Sequence, residues 1–454
     1  MTGSPAPVPD RATRIVVVGA GFAGFETVRR LLRHQRRSTD RPIRVTLISP
    51  DDFMLYTPLL PDVAGGLLDA RFVAIPLAES LPGAELIAGR VDSVDFDGRT
   101  LQVRNREGAA ETVEWERLVL TPGSVTRLFD IPGLAEHARG LKTATEALYL
   151  RDQMLEQIEL AARETDPAVA RARRTFVVVG ASYAGTELTA QLRALADEAA
   201  RHRGTVPDDV RFVLLDMADR VMPEVGEKLG DRVLEVLRGR GIDVRLGTTI
   251  DRLTAEAAEL SDGTTIATRT VTWAAGVTAS PLIQELGLPT EKGRLIVGAD
   301  LSVPGDPDVF AAGDAAAVPD LAQRSGKGAD DAITPPTAQH AVRQGKVVAR
   351  NVIASIGVGT RKDYKHNDLG LVVDLGPRFA VANPVGVHLS GYPAKLVTRA
   401  YHLLALPRGA NRMAVSAAYL GDAVFPRPLV SFGLVSADEA SFPRSQGIPA
   451  PDSD

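Results

Sequence analysis

The chain has 454 residues, 44% hydrophobic and 24% charged, enough for two or three packed domains and too evenly mixed for a disordered or membrane-spanning protein. Its formal net charge of −5 offers no basic surface for nucleic acid, and no apolar run reaches the length of a spanning helix. With no cysteine, the chain cannot form a disulfide, thiolate metal site, iron–sulfur cluster or redox dithiol, and its seven histidines lack ligand spacing, so no metal is expected.

Met1–Thr13 is rich in Pro, Ala and small polar residues and has no apolar core, which predicts a disordered lead-in rather than a secretion signal, and a cytosolic protein. From Arg14 the run Ile-Val-Val-Val leads to Gly19, Gly21 and Gly24, then to a helical stretch Phe25–Leu32. Gly19 permits a tight turn, Gly21 lets backbone approach a pyrophosphate, and Gly24 lets the helix pack closely on the strand. The helix N-terminus then offers N–H groups and partial positive charge to phosphate. The next strand ends at Ser49, where an acid is expected to hold an adenosine ribose; either the Ser49 hydroxyl or a displaced Asp51 takes that role. Phe53 to Pro61 is an apolar loop, which by itself reads as buried.

A helical, charge-laced segment Thr145–Glu164 precedes a second copy of the motif, with Gly180, Ser182 and Gly185 in the glycine positions. Its following strand ends at Asp216, which suits the free ribose hydroxyls of NADH and repels the 2′-phosphate of NADPH; Arg220 nearby keeps NADPH open. Further on, Pro307-Asp-Val-Phe-Ala-Ala is a short strand ending in Gly313 and Asp314, and on its own Asp314 reads as a helix cap. Pro335 and Pro336 introduce a helix in which Gln339 and Arg343 share a face. In the tail, Leu396, Val397, Ala400, Leu403 and Leu404 repeat at helical spacing with Lys395 and Arg399 flanking. A second helix, Arg412–Val424, puts Met413, Ala417 and Leu420 on one side. Such a pair either packs on a domain or rests in a membrane plane with its basic side chains toward headgroups. From Ser436 onward the composition predicts a frayed end.

The two glycine motifs and the Gly-Asp element, in this order, resemble the two-dinucleotide flavoproteins related to the pyridine nucleotide-disulfide reductases. The fold class implied is α/β, with two nested Rossmann-like dinucleotide-binding domains plus a C-terminal helical region: residues 14–144 and 290–385 for FAD, 145–289 for NADH, and 386–454 for the tail. The resemblance implies that Gly19, Gly21, Gly24 and Asp314, with Gly313 beside it, serve FAD, that Ser49 or Asp51 meets its ribose, and that Gly180, Ser182, Gly185, Glu187 and Asp216 serve NADH. Gly123 and Gly276 look like the signature glycines of paired crossovers, with Thr121-Pro122 a departure in the first. By residue chemistry alone, Glu187 would only favour its helix end through the dipole; the resemblance implies that it shapes the nicotinamide site.

The absence of cysteine excludes the thiol-using subgroups. Phe53 to Pro61, Ile131 to Thr143 and Pro335 to Lys346 resemble the type II NADH:quinone dehydrogenases. That likeness implies a quinone acceptor beside Gln339 and Arg343, and peripheral attachment of the tail to the cytoplasmic side of a membrane. A homodimer is compatible with it. The subgroup carries Gln at both helix positions, whereas here the second is Arg343 with Gln344 beside it. Two rival readings keep the cofactor motifs: a soluble NADH-dependent reductase of a ferredoxin- or rubredoxin-type protein, and a flavin-carrying, NADH-responsive binding protein.

Overall fold

A computed structural model describes residues 12–37, 41–202, 209–322, 332–366 and 370–448. The expected lead-in lies almost wholly outside them, and the first strand opens at Thr13. The chain divides into two compact units, one of Met1–Leu55, Ala74–Val125 and Thr278–Asn367, the other of Tyr56–Val73, Thr126–Val277 and Asp368–Asp454. Residues 56–73, 126–144 and 370–385, expected with the first nucleotide domain, cluster instead with the second unit.

In the first unit, parallel strands Asp306–Ala311, Arg117–Leu120, Thr13–Val18, Ile43–Ser49 and Glu85–Asp95 lie side by side in that order. Ile15 to Val18 are all buried, as β-branched residues are in a parallel strand covered on both faces. Their register brings Val18 level with Ile48 and Leu120, and Leu120 level with Ala311, so four strands end along one edge. Helix Phe22–Gln35 packs on helix Ala338–Ser355 at very short range. A Cβ on Gly345 would sit 2.4 Å from the Ala23 carbonyl oxygen, and Thr27 Oγ1 donates to the carbonyls of Ala23 (2.8 Å) and Gly345 (3.2 Å).

In the second unit the parallel order is Ala138–Arg139, Thr270–Trp273, Thr175–Val179, Arg211–Asp216 and Ile242–Leu246. Helix Ala144–Arg163 begins at a capping box in which Thr143 and Glu146 satisfy each other's backbone N–H groups. A three-stranded antiparallel sheet, Gly370–Asp374, Ala380–Pro384 and Leu389–Gly391, leads into helices Tyr392–Ala405 and Gly409–Val424.

The structure corrects two expectations about the tail. The chain does not fray from Ser436: residues 436–448 are placed, Phe442 is fully buried in the core around Trp273, and Gln446 bonds Thr126 and Glu146. Nor do the flanking basic residues of the first tail helix face outward. Lys395 is 1% exposed, while Leu396 and Leu404 are 52% and 74% exposed, so this helix buries its polar face and shows its apolar one.

Candidate functional site

Both glycine turns are sterically dictated. Gly19 sits at φ +93° with the Thr121 carbonyl oxygen 2.2 Å from where a Cβ would stand, and a Cβ on Gly24 would meet the Gly19 oxygen at 1.9 Å. Gly21 faces open space, and no side chain caps the helix it begins. A side chain at Gly19 would collide with the Thr121–Pro122 backbone after the neighbouring strand and one at Gly24 would force the helix off the turn, whereas Gly21 leaves its backbone open to approach. Gly123, Gly313 and Asp314 lie on the same strand edge. Gly123 is at φ +76° with open space around it, and its carbonyl accepts from Ser280 N–H (3.0 Å). Asp314 Oδ2 accepts from Ser124 Oγ at 2.6 Å. Ser49 is buried and its Oγ accepts from Asp51 N–H (3.3 Å), while Asp51 is exposed.

The second unit repeats the arrangement. Gly180 is at φ +109° with the Ala274 oxygen 2.6 Å from a Cβ position, and a Cβ on Gly185 would meet the Gly180 oxygen at 1.9 Å. Ser182 supplies the carbonyl that accepts from Thr186 N–H (3.0 Å) in the first helical turn. Asp216 draws the turn together: its carboxylate accepts from Ala181 N–H (2.5 Å) and Ala218 N–H (2.8 Å). Gly276, at φ +95° with open space about it, follows the adjacent strand. These features fit a dinucleotide at each edge: close strand-to-helix packing, one residue of open backbone and a carboxylate at or just beyond the strand ends.

Glu187 is 9% exposed, and its Oε1 accepts from Asp374 N–H at 2.7 Å. Burial pushes its carboxyl well up, against the pull of that N–H bond, with Asp374 and Asp62 adding repulsion. It belongs to a buried cluster that sequence reasoning missed. Lys395 Nζ donates to Asp374 Oδ1 (2.6 Å) and Oδ2 (2.5 Å) and to the Gly376 carbonyl (2.9 Å). Gln191 Nε2 donates to Asp62 (2.5 Å) and lies 3.4 Å from Asp374, and Tyr419 OH donates to Asp62 (3.3 Å). Burial, then Asp374, push the Asp62 carboxyl up to about 7, with Lys395, Arg427 and Arg399 opposing. Beside them the buried Tyr56 hydroxyl lies 3.1 Å from His402 Nδ1, and burial lowers His402 to about 4. The one available signal was a lone charge in each of two apolar runs, Leu59 to Val63 and Leu371 to Asp374.

On helix Ala338–Ser355, begun by Thr337 accepting from His340 N–H (3.3 Å), Gln339 and Arg343 are half-buried on one face. Arg343 Nη1 is 3.0 Å from His366 Nδ1. The rings of His340 and His366 stack at 3.9 Å, and His340 Nδ1 is 2.8 Å from the Tyr364 hydroxyl. Burial, then the neighbouring His366, lower His340 to about 4, so it is neutral near pH 7. Gln344, not Arg343, reaches the first unit's Gly-Asp element: it is 1% exposed and its Oε1 accepts from Gly313 N–H at 2.7 Å.

The sequence pattern of the pyridine nucleotide-disulphide oxidoreductase family matches residues 13–345. Ndh of Mycobacterium tuberculosis, a type II NADH:quinone oxidoreductase, is 31% identical over 88% of this chain and 85% of its own length. The chain belongs to this family, in its type II NADH:quinone oxidoreductase group. NdhA of the same organism, also a type II NADH:quinone oxidoreductase, is 32% identical over 91% of this chain and 87% of its own. The structure of NDH2 from Plasmodium falciparum in complex with NADH superposes with a TM-score of 0.83 at 16% identity, covering 92% of this chain and all (100%) of that one, which shows the shared fold. Within a family named for disulphide chemistry, this member has no cysteine at all.

Proposed function

We propose that this chain is an FAD-dependent NADH:quinone oxidoreductase that works at a membrane surface. When bound, FAD supplies the chemistry, accepting a hydride from NADH and returning the electron pair to a quinone. The observation that carries the reading is the pair of glycine-turn strand edges in a chain that has no thiol to relay electrons. Gly19, Gly21 and Gly24 hold the FAD pyrophosphate, Asp314 its sugar-alcohol chain, and Gly123 and Gly313 keep backbone close to it. Ser49 fixes the turn that presents Asp51 to the adenosine ribose, so both residues act in the place of the usual strand-end acid. Gly180, Ser182, Gly185 and Gly276 hold NADH, and Asp216 selects the ribose that lacks a 2′-phosphate.

Glu187 acts on the nicotinamide side as a positioning residue, since its carboxyl is tied to Asp374 N–H rather than free. Gln339 and Arg343 orient the quinone, and Gln344 supports them by fixing Gly313. Among the described residues no helix is long and apolar enough to cross a membrane. The two tail helices instead present Leu396, Leu404, Met413, Leu420 and Val424 to the outside, each more than half exposed. Large apolar side chains exposed on two consecutive helices mark an interaction surface, and a lipid-soluble quinone makes the bilayer its natural partner, on the side that holds NADH. The same display disfavours a soluble iron–sulfur protein as acceptor, because docking of that kind uses a charged face.

The test is to bleach the flavin with NADH without oxygen and compare its reoxidation by quinones, by ferredoxin-type proteins and by oxygen. Reoxidation fastest with quinone is expected. A flavin-free protein, or one that no quinone reoxidises faster than ferredoxin does, overturns the reading.

A further inference from the structure

The second unit carries a basic cavity at the edge of its sheet opposite the glycine turn. The cavity, of about 610 Å³, is lined by Arg171, Arg174, Arg193 and Arg211, with Asp209 and Val210. Arg174 directly precedes strand Thr175–Val179 and Arg211 opens strand Arg211–Asp216, so both sit where strands begin, whereas Gly180 and Asp216 sit where they end. Five residues of strand separate the two edges by roughly 17 Å, which rules out one ligand phosphate touching both.

The arginines come from different elements and are differently held. Arg193 is 6% exposed, with Nη1 donating to the Val210 carbonyl (2.7 Å) and Nε 2.8 Å from Asp197. Arg211 is fixed from behind by Asp243 at 2.7 Å. Arg174 lies 3.4 Å from Asp209, and Arg171 makes no ion pair among the described residues. Arg193 and Arg211 are thus held by carboxylates behind the wall, Arg174 shares the one carboxylate of the lining, and Arg171 is the guanidinium left for a ligand. The planar guanidinium fork matches phosphate oxygens in pairs, and four arginines against one lining carboxylate leave the wall with an excess of such donors. The volume is that of a small-molecule site and larger than a single phosphate needs.

We propose that this cavity binds a di- or triphosphate-bearing small molecule at a site separate from the NADH edge. The experiment is calorimetric titration of the flavin-loaded protein with inorganic tripolyphosphate at fixed ionic strength, with and without saturating NAD⁺. Binding that persists with NAD⁺ is expected. Replacing Arg171→Glu together with Arg174→Glu should weaken it at least about ten-fold, as expected when charge-assisted bonds are lost, while Asp209→Asn should tighten it. Flavin content and NADH bleaching report whether each variant is folded, and Arg171→Ala is the milder substitute if the double variant is not. Absence of binding, displacement by NAD⁺, or unchanged affinity in a folded variant would each overturn the proposal.

Discussion

Replacing Lys395 by Met removes the ammonium bonded to the buried Asp374 while keeping most of the side-chain volume. The native Nζ makes three hydrogen bonds, to both oxygens of Asp374 and to the Gly376 carbonyl, at 1% exposure. Without it, Asp374 keeps only the N–H of Gly376 (2.9 Å) and the more distant Gln191 amide, beside the buried carboxyls of Asp62 and Glu187. Breaking a buried pair from one side costs about 3–5 kcal/mol, because the remaining charge is uncompensated. Part of this is recoverable by protonation. The folded cluster already holds the Asp62 carboxyl up at about 7, well above its unfolded value, so the folded state binds extra protons between the two and the free energy of unfolding falls as pH rises through that window. The Lys395→Met deficit should therefore be larger at pH 8 than at pH 5. Urea unfolding of the flavin-loaded protein at both pH values measures it, and Lys395→Met with Asp374→Asn should recover most of the loss. If Lys395→Met unfolds within about 0.5 kcal/mol of the parent at pH 8, the ion pair is not what holds this region.

Asp216→Arg should shift the ratio of NADH to NADPH turnover toward NADPH and lower both, since the carboxylate also holds the Ala181 N–H; an unchanged ratio of kcat/KM removes the assignment. Gly24→Ala places a methyl 1.9 Å from the Gly19 oxygen, so the purified protein should lose most of its flavin absorbance, and full flavin occupancy would refute the close-approach argument. Gln339→Ala should slow quinone-driven reoxidation more than NADH-driven bleaching, each followed by stopped flow; equal slowing of both half-reactions counts against a quinone-side role. Leu404→Glu with Leu420→Glu should weaken partitioning onto liposomes by about a hundred-fold or more while leaving NADH bleaching of the flavin intact, each buried apolar side chain being worth about 1.5–3 kcal/mol. Undiminished lipid binding would move the docking face elsewhere.

The nucleotide edges were legible because each is specified locally. A glycine that must take positive φ, and another five residues on that must admit a carbonyl at under 2 Å, leave a mark within one turn of sequence. The acid cluster left none, because its members come from far apart: Asp62 and Gln191 are separated by 129 positions, Gln191 and Asp374 by 183. Gln344 was passed over for a similar reason. Its neighbour Arg343 shares a helix face with Gln339, whereas Gln344 accepts from Gly313 N–H, 31 positions away. The segment from Ser436 misled through its composition, since one buried Phe442 and one buried Gln446 outweigh several exposed polar residues.

The tail helix shows why periodicity alone could not settle its orientation. A 3.6-residue repeat reveals two faces and leaves open which of them is buried. Here the inner face carries Lys395, Thr398 and His402, and it is held by Asp374 and by the hydroxyl of Tyr56. The outer face is apolar, and in water such a face gains nothing from exposure. The helix therefore keeps this orientation through its ionic anchor, which links the stability of the cluster to the display of Leu396 and Leu404. Lys395→Met should for that reason let the helix roll its leucines inward, lowering liposome affinity although none of the exposed apolar residues is changed. Hydrogen exchange along Tyr392–Ala405 would register the released helix, and unchanged exchange together with unchanged lipid binding would break the link.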